Sequence, residues 1–485
     1  MSIDRVLISK SPGEIRVALL EQGRLVELLV SRTGQESALG NVYLGRVEAV
    51  KKGIDAGFVD IGLGRSGFLG VAEARPAGPR NGNERDSIGD YLNEGDAVLV
   101  QVQRDPVEDK GAKLTTHVNL AGVNLVFRPE QPGVNISRRI ADENDRQRLV
   151  TVMEALAPEG SGFIVRTAAA AVEDEALEKE AEALISTWAD IRKGRANARA
   201  PAALFTGPGV AICALRDLGQ EVEKIITDDT DMAAEIGAFL GTDKAILEMH
   251  GGAEPLFDTY GLEEQTDAAL SPVVELPGGG SLIISQTPAL CAIDVNSGGA
   301  DGGAGGGAKE KTALAVNLEA AAAAARQIRL RNISGLIVVD FVPLRDDANK
   351  RRVLETLRRA MADDPQGPHV IGHTRMGLVE VTRRRQGVSL LELLGGAGNG
   401  PGGPVKSALT WGLEALAQVL RQGRGQSVGL ELRASPAVIK ALKAAGGPGP
   451  AAVAVVEERL GLAITLSPDH DLADGQFDIA ANRNG

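Results

Sequence analysis

Ala292-Ile-Asp-Val-Asn-Ser297 and Gly335-Leu-Ile-Val-Val-Asp-Phe341 are the two stretches on which the reading of this chain turns. In each, small and β-branched apolar residues lead up to an acid, the pattern of a buried strand with a carboxylate at its end. The neighbouring segments supply the rest of the unit. Leu282 to Ser285 and Leu290 to Val295 read as strands, Thr312 to Leu330 as an Ala-rich helix, and Gly335 to Phe341 as the next strand. Strand, helix, strand implies a right-handed crossover between parallel neighbours. Asp294 and Asp340 then share one edge of one sheet, with the Asn296 amide two residues from the first acid. An aspartate at a strand end also commonly caps the next turn. Two such acids converging on one edge favour a cradle for a hard divalent cation such as Mg²⁺, and so phosphodiester or phosphoryl chemistry.

Bulk properties bound the alternatives. The 485 residues suffice for about two to four domains. Hydrophobic (43%) and charged (24%) contents are those of a soluble globular protein. No stretch approaches the roughly 18 uninterrupted apolar residues of a membrane span. The start, Met-Ser-Ile-Asp-Arg-Val, lacks the basic and apolar regions of a secretory signal. Cys213 and Cys291 are the only cysteines, too few for a four-cysteine zinc site. Both fall in apolar runs and read as reduced core residues, which suits the cytoplasm. The net charge of −13 does not advertise a nucleic-acid binder. Charge is uneven, however: between Arg345 and Arg385, ten Lys/Arg face six acids beside the candidate metal site. Local basicity of that kind can serve a polyanion. For Lys350 to Arg359 a solvated helix face is the simpler account.

Working outward, residues 1–35 alternate as a hairpin (Ile15, Val17 and Leu19, then Leu25, Glu27 and Leu29) turning at Glu21-Gln-Gly23. Residues 37–120 read as short, glycine-punctuated strands of a small Greek-key barrel such as the OB-fold, interrupted by a polar loop from Arg75 to Asp86. Phe58 and Phe68 lie in those strands and, if exposed, can stack bases; core packing is the competing account. Beyond them come a basic element, Asn135 to Arg139, and an acid-rich helix from Asp142 to Leu156. A strand, Gly162 to Thr167, is followed by a long Ala/Glu helix, Val172 to Arg195, and by a further strand, Val210 to Leu215. Gly298 to Gly307 has seven glycines in ten residues but no Gly-Lys-Ser/Thr, so it reads as a flexible loop and not a P-loop. After a linker at Gly395 to Pro404, a small α/β unit follows: helix Leu409 to Arg421, strand Val428 to Leu432, helix Pro436 to Ala445, strand Ala463 to Ser467.

Nine motifs, taken in order, give the chain a specific likeness. Gly-Asn-Val-Tyr-Leu-Gly-Arg-Val (40–47), Gly-Phe-Val-Asp-Ile-Gly-Leu (57–63), Lys-Gly-Ala-Lys-Leu-Thr-Thr (110–116) and Ile-Ser-Arg-Arg-Ile (136–140) come first. Ile-Val-Arg-Thr (164–167), Ala-Ile-Asp-Val-Asn-Ser (292–297), Asn-Leu-Glu-Ala (317–320), Arg-Gln-Ile-Arg-Leu-Arg (326–331) and Gly-Leu-Ile-Val-Val-Asp-Phe (335–341) follow. Together they resemble the RNase E/G endoribonucleases over essentially the whole length. The resemblance implies an α/β and α+β multidomain fold. Its parts are an RNase H-like domain (1–36 and 209–276) with an inserted OB-fold RNA-binding barrel (37–120), a 5′-end-sensing region (121–208), a DNase I-like catalytic domain (277–394), the Gly/Pro linker (395–405) and a small C-terminal domain (406–485). It implies Mg²⁺-dependent hydrolysis of single-stranded RNA, with Asp294 and Asp340 as metal ligands and Asn296 hydrogen-bonding beside them. It further implies that Phe58, Phe68 and Lys110 bind RNA. Arg166 and Thr167 would contact a 5′-monophosphate in a pocket lined by Gly122 and Val126. The exposed basic residues Arg138 and Arg139, with Arg326 and Arg329 on the long helix, join the expected RNA contacts.

Three departures qualify the likeness. The family's Cys-Pro-x-Cys zinc link is absent, the corresponding stretch being Leu-Leu-Gly-Gly-Ala-Gly-Asn-Gly-Pro-Gly-Gly-Pro (393–404). A bound zinc is therefore not expected, and a homodimer is expected to use other surfaces. A further arginine of the 5′ pocket has no counterpart in Asp-Asp-Pro-Gln-Gly-Pro-His (363–369), so phosphate sensing is expected to be weakened or lost. The loop after Asn296 carries glycine where the family carries charge, which is expected to slow cleavage or relax its geometry. The reading is a Mg²⁺-dependent, cytoplasmic endoribonuclease of rRNA processing or mRNA decay, with no long tail after its small domain. Its rivals are a non-catalytic RNA-binding or scaffold protein that kept the fold, and a nucleotide-using phosphotransferase, against which the missing Gly-Lys-Ser/Thr speaks.

Overall fold

The computed structural model describes residues 3–75, 87–106, 110–218, 222–241, 246–252, 254–298, 306–385, 387–400 and 403–481, without the side chains of 306–308, 397–400 and 403–405. The polar loop 76–86 and most of the glycine run, 299–305, lie outside the described residues. The fold is mixed α/β and multidomain. Two compact units divide the chain, Met1–Glu36 with Glu221–Gly485, and Ser37–Gln220.

In the first unit, a six-stranded sheet carries the two acid-ended strands. Its order is Val273–Glu275, Ser281–Gln286, Cys291–Asn296, Gly335–Asp340, Val379–Arg383 and His369–His373. Cys291–Asn296 and Gly335–Asp340 run parallel, joined by the helix Gly306–Leu330, as the strand–helix–strand reading required. Leu282, Ile293, Ile337, Val339 and Val381 project to one face and are fully or nearly fully buried against that helix and the helix Asp347–Ala360. Burial of each such side chain is worth about 1.5–3 kcal/mol. The opposite face shows Ile283, Leu336 and Ile371 to solvent.

The N-terminal hairpin forms as expected, Glu14–Glu21 with Arg24–Arg32. Alternation alone did not reveal that a further strand, Arg5–Ser11, joins it to Lys224–Thr227 in parallel. Glu14 is buried between the guanidiniums of Arg16 and Arg32. Arg32 continues to the Leu393 carbonyl (2.8 Å) and the Thr410 hydroxyl (2.9 Å). Arg16 continues to Glu263 (3.0 Å) and Glu414 (3.5 Å), and Lys406 bonds Glu414 at 2.9 Å and Asp267 at 2.7 Å. This ion network fastens the small C-terminal domain to the first hairpin. At Gly13 (φ +76°), in the turn between Arg5–Ser11 and Glu14–Glu21, a Cβ would meet the Ala452 Cβ at 2.6 Å, so the turn requires glycine there.

Three expectations are corrected. Val210–Leu218 is a helix, not a strand. Its buried Ala211, Ile212, Ala214 and Leu215 follow helical spacing, and an apolar run that short does not declare its period. Residues 395–404, read as a linker, lie largely in an antiparallel pair, Gly395–Gly400 with Gly403–Lys406. The small domain also holds a third helix, Pro448–Leu460, started by Pro448 and ended by Gly461 at φ +66°, and a third strand, Phe477–Ala481.

In the second unit, five strands close into a barrel consistent with an OB-fold: Val42–Lys51, Ala56–Asp60, Gly67–Gly70, Lys113–Thr115 and Ala97–Arg104, the last pairing back to the first. Beside them a four-stranded sheet, Gly133–Ile136, Gly162–Val165, Leu125–Arg128 and Leu120–Ala121, packs on the helices Glu143–Leu156 and Asp174–Asn197 around Phe127 and Phe163.

Burial disfavours the Glu14 carboxylate, yet Arg16 and Arg32 outweigh it and hold the group below the usual carboxylate range. Its ionised form therefore stabilises the fold above that range, and the contribution is lost as pH falls through the lowered native value. Glu14→Gln is expected to cost about 3–5 kcal/mol at neutral pH by leaving two guanidiniums short of their partner. Thermal melts of parent and variant should differ most near pH 7 and converge in acid; equal melting temperatures at pH 7 would refute the assignment.

Candidate active site

The acid pair is created by strand register. Asp294 stands directly opposite Asp340 in the parallel ladder, about 4.8 Å away along the sheet. Cys291, Ile293 and Val295 point into the core, so Asp294 and Asn296 point outward, and Asp340 does so on its own strand. All three are exposed, on the face opposite the helices. The Asn296 side-chain nitrogen donates to the Asp294 carboxylate at 3.0 Å, fixing its rotamer and leaving its other oxygen free of that bond. No group of three His, Cys, Asp or Glu able to hold a metal occurs among the described residues. Two carboxylates beside a neutral amide nevertheless suit Mg²⁺, which usually takes one or two protein carboxylates and fills its octahedron with water and phosphate oxygens.

Side chains that sequence reasoning did not single out hold the loop after Asp340. Asn317, fully buried on the long helix, donates to the Val342 carbonyl (2.8 Å) and accepts from the Val342 amide (2.9 Å). The Glu310 carboxylate accepts from the amides of Arg345 (3.1 Å) and Asp346 (3.2 Å), and those bonds with Asn349 hold it below its ordinary range. Asn317 was visible within the Asn-Leu-Glu-Ala motif; nothing in the sequence announced its partner 25 residues on.

The expected RNA-contacting residues divide by environment. Phe58 and Phe68 face each other across paired barrel strands, ring centres 6.1 Å apart and edge to face, with Phe68 36% exposed. Lys110, Arg138 and Arg139 are exposed. Arg326 is half-buried. Arg329 is 8% exposed and committed to an ion pair with Glu27 at 2.8 Å, which turns it away from solvent.

The four residues expected around a 5′-phosphate cluster. Arg166 bonds the Gly122 carbonyl at 3.0 Å, Val126 pairs with Ala121 and Ile164, and the Thr167 hydroxyl meets that of Ser137 at 2.9 Å. The turn from Gly122 to Leu125 is moulded by Glu180, whose carboxylate accepts from the Asn124 amide (2.9 Å), its side chain (2.8 Å) and the Leu125 amide (3.2 Å). A Cβ at Gly122 would lie 2.0 Å from that carboxylate, so a larger residue there would displace the Glu180 side chain from its bonds to the turn.

A paired-carboxylate sheet face in one unit and an aromatic-bearing barrel in the other define a chain of the nucleic-acid-processing kind. The sequence profile of the Ribonuclease E/G family matches residues 119–386. Ribonuclease G of Haemophilus influenzae is 35% identical over 81% of this chain and 82% of its own, and Ribonuclease G of Salmonella typhimurium 33% over 98% and 99%. Ribonuclease E of Escherichia coli is 38% identical over 80% of this chain and 37% of its own. The chain belongs to the Ribonuclease E/G family.

Removing the Asn317 amide strands both polar groups of Val342. Asn317→Leu should lower stability by about 1–3 kcal/mol in denaturant titrations; an unchanged midpoint would show that the two bonds do not hold the loop.

Proposed function

We propose that this protein is an endoribonuclease that hydrolyses single-stranded RNA with Mg²⁺ held by Asp294 and Asp340, in rRNA processing or mRNA decay in the cytoplasm. The observation that carries the reading is the register that sets the two carboxylates side by side on an exposed sheet face, with Asn296 fixing one of them. Bound there, the ion would activate a water and neutralise charge developing on the phosphate. The protein's own part is to present the two carboxylates on a rigid ladder, orient Asp294 through Asn296, and restrain the loop after Asp340 through Asn317.

On this reading the domains are RNase H-like (1–36 and 209–276), OB-fold (37–120), 5′-sensing (121–208), DNase I-like (277–394) and small (406–485), and a homodimer would form without a zinc link. Phe58 and Phe68 offer ring faces to unpaired bases, and stacking of that kind is worth about 1–3 kcal/mol per base. Lys110, Arg138 and Arg139 are free to meet phosphates along the strand. Arg166 and Thr167, with the Gly122 turn and Val126, receive the 5′ end.

Asp294→Asn and Asp340→Asn should each reduce cleavage of a single-stranded oligonucleotide in Mg²⁺ by at least about a hundredfold, the scale of several kcal/mol of lost charge stabilisation. EDTA should abolish cleavage and added Mg²⁺ restore it. Parent-like rates in both variants would defeat the assignment.

A further inference from the structure

Arg166 is not alone in its pocket. The helix Val210–Leu218, which the sequence disguised as a strand, brings Arg216 beside it. Arg166 Nη2 and Arg216 Nε both donate to the same Asp217 oxygen, each at 3.2 Å. Arg216 Nη2 reaches the other Asp217 oxygen at 3.5 Å. Backbone carbonyls set the remaining edges of both guanidiniums. Arg166 Nη1 bonds Gly122 (3.0 Å) and the Arg216 carbonyl (3.5 Å), and Arg216 Nη1 bonds Ala121 (3.5 Å). The cations are mostly covered, their side chains 29% and 19% exposed, whereas the carboxylate they share is 52% exposed.

We infer that Arg166 and Arg216 form a two-arginine site for the 5′-monophosphate of RNA, and that Asp217 occupies it as an internal competitor until the phosphate displaces it. The inference rests on the 5′-sensing reading of Arg166 and names its second cation and its restraint. A phosphate monoester carries up to two negative charges and three acceptor oxygens against one charge and two oxygens on a carboxylate, so it outcompetes Asp217 for two donor forks. The carbonyls of Ala121, Gly122 and Arg216 keep both forks oriented when Asp217 leaves, which limits the ordering cost of binding. Arg216 stands in for the pocket arginine that residues 363–369 do not supply. Competition from Asp217 makes the 5′-phosphate preference of the parent smaller than the two arginines alone would give.

The test measures equilibrium binding of 5′-monophosphorylated and 5′-hydroxyl single-stranded oligonucleotides to the full chain carrying Asp294→Asn, in EDTA so that cleavage does not interfere. Adding Asp217→Asn should raise the ratio of the two affinities by about three- to tenfold, the net size of one hydrogen bond. Adding Arg216→Gln as well should remove the gain. A merely structural role for the cluster predicts instead that Asp217→Asn lowers the melting temperature and leaves the ratio unchanged, which would overturn the inference. Arg166→Gln in the Asp217→Asn background separates the two levels. If it abolishes the preference while Asp217→Asn and Arg216→Gln do nothing, the pocket stands and the inference fails. If it too leaves the ratio unchanged, the 5′-sensing reading fails and the inference with it.

Discussion

The parallel register between Cys291–Asn296 and Gly335–Asp340 is the constraint on which the rest of the molecule depends. Side chains alternate along a strand, so a slip of one residue would send Asp340 into the core and Val339 into water. The slip is prevented from both sides. Ile337, Val339 and Val381 are fully buried on the helical face, and the Asn317 clasp on Val342 fixes where the second strand ends. Two exposed carboxylates in line, mutually repulsive without a cation between them, are thus held in place by apolar burial elsewhere.

Much of that was legible in the sequence. The β-branched runs, the terminal acids and the helical crossover sufficed to put Asp294 and Asp340 on one edge, and short glycine-punctuated strands sufficed for a barrel. What escaped the sequence was long-range. Glu14 meets Arg16 and Arg32 locally, but the extensions to Glu263, Leu393 and Thr410 cross more than two hundred residues. Val210–Leu218 differs for another reason: six small or apolar residues in a row, Val210 to Leu215, fit either period, and only the packing of Ala211, Ile212, Ala214 and Leu215 selects the helix. The helix runs past that stretch to Leu218 and sets the Asp217 carboxylate within reach of both Arg166 and Arg216.

The absence of the zinc-link cysteines acquires a structural context here. Around residues 393–406, where the family pattern has Cys-Pro-x-Cys, the chain has a glycine-rich ribbon whose ends are tied by Arg32 to Leu393 and by Lys406 to Asp267 and Glu414. Burial and the surrounding acids act oppositely on Lys406, and the acids prevail, raising its affinity for protons. Within this chain, charge ties both ends of the ribbon to the surrounding elements.

The split of the first unit across the sequence carries a consequence for synthesis. Residues 37–220 are contiguous and can fold as they leave the ribosome. Strands Arg5–Ser11, Glu14–Glu21 and Arg24–Arg32 emerge earlier, but their meander lacks its parallel neighbour Lys224–Thr227 until some two hundred residues later. At typical translation speeds that delay is roughly 10–40 s. For that interval the Arg5–Ser11 edge is open to pairing with other nascent chains. Its flanking cations, Arg5 and Lys10, are what the edge itself offers against such pairing, so a strand made well before its partner is among the last to become safe from aggregation.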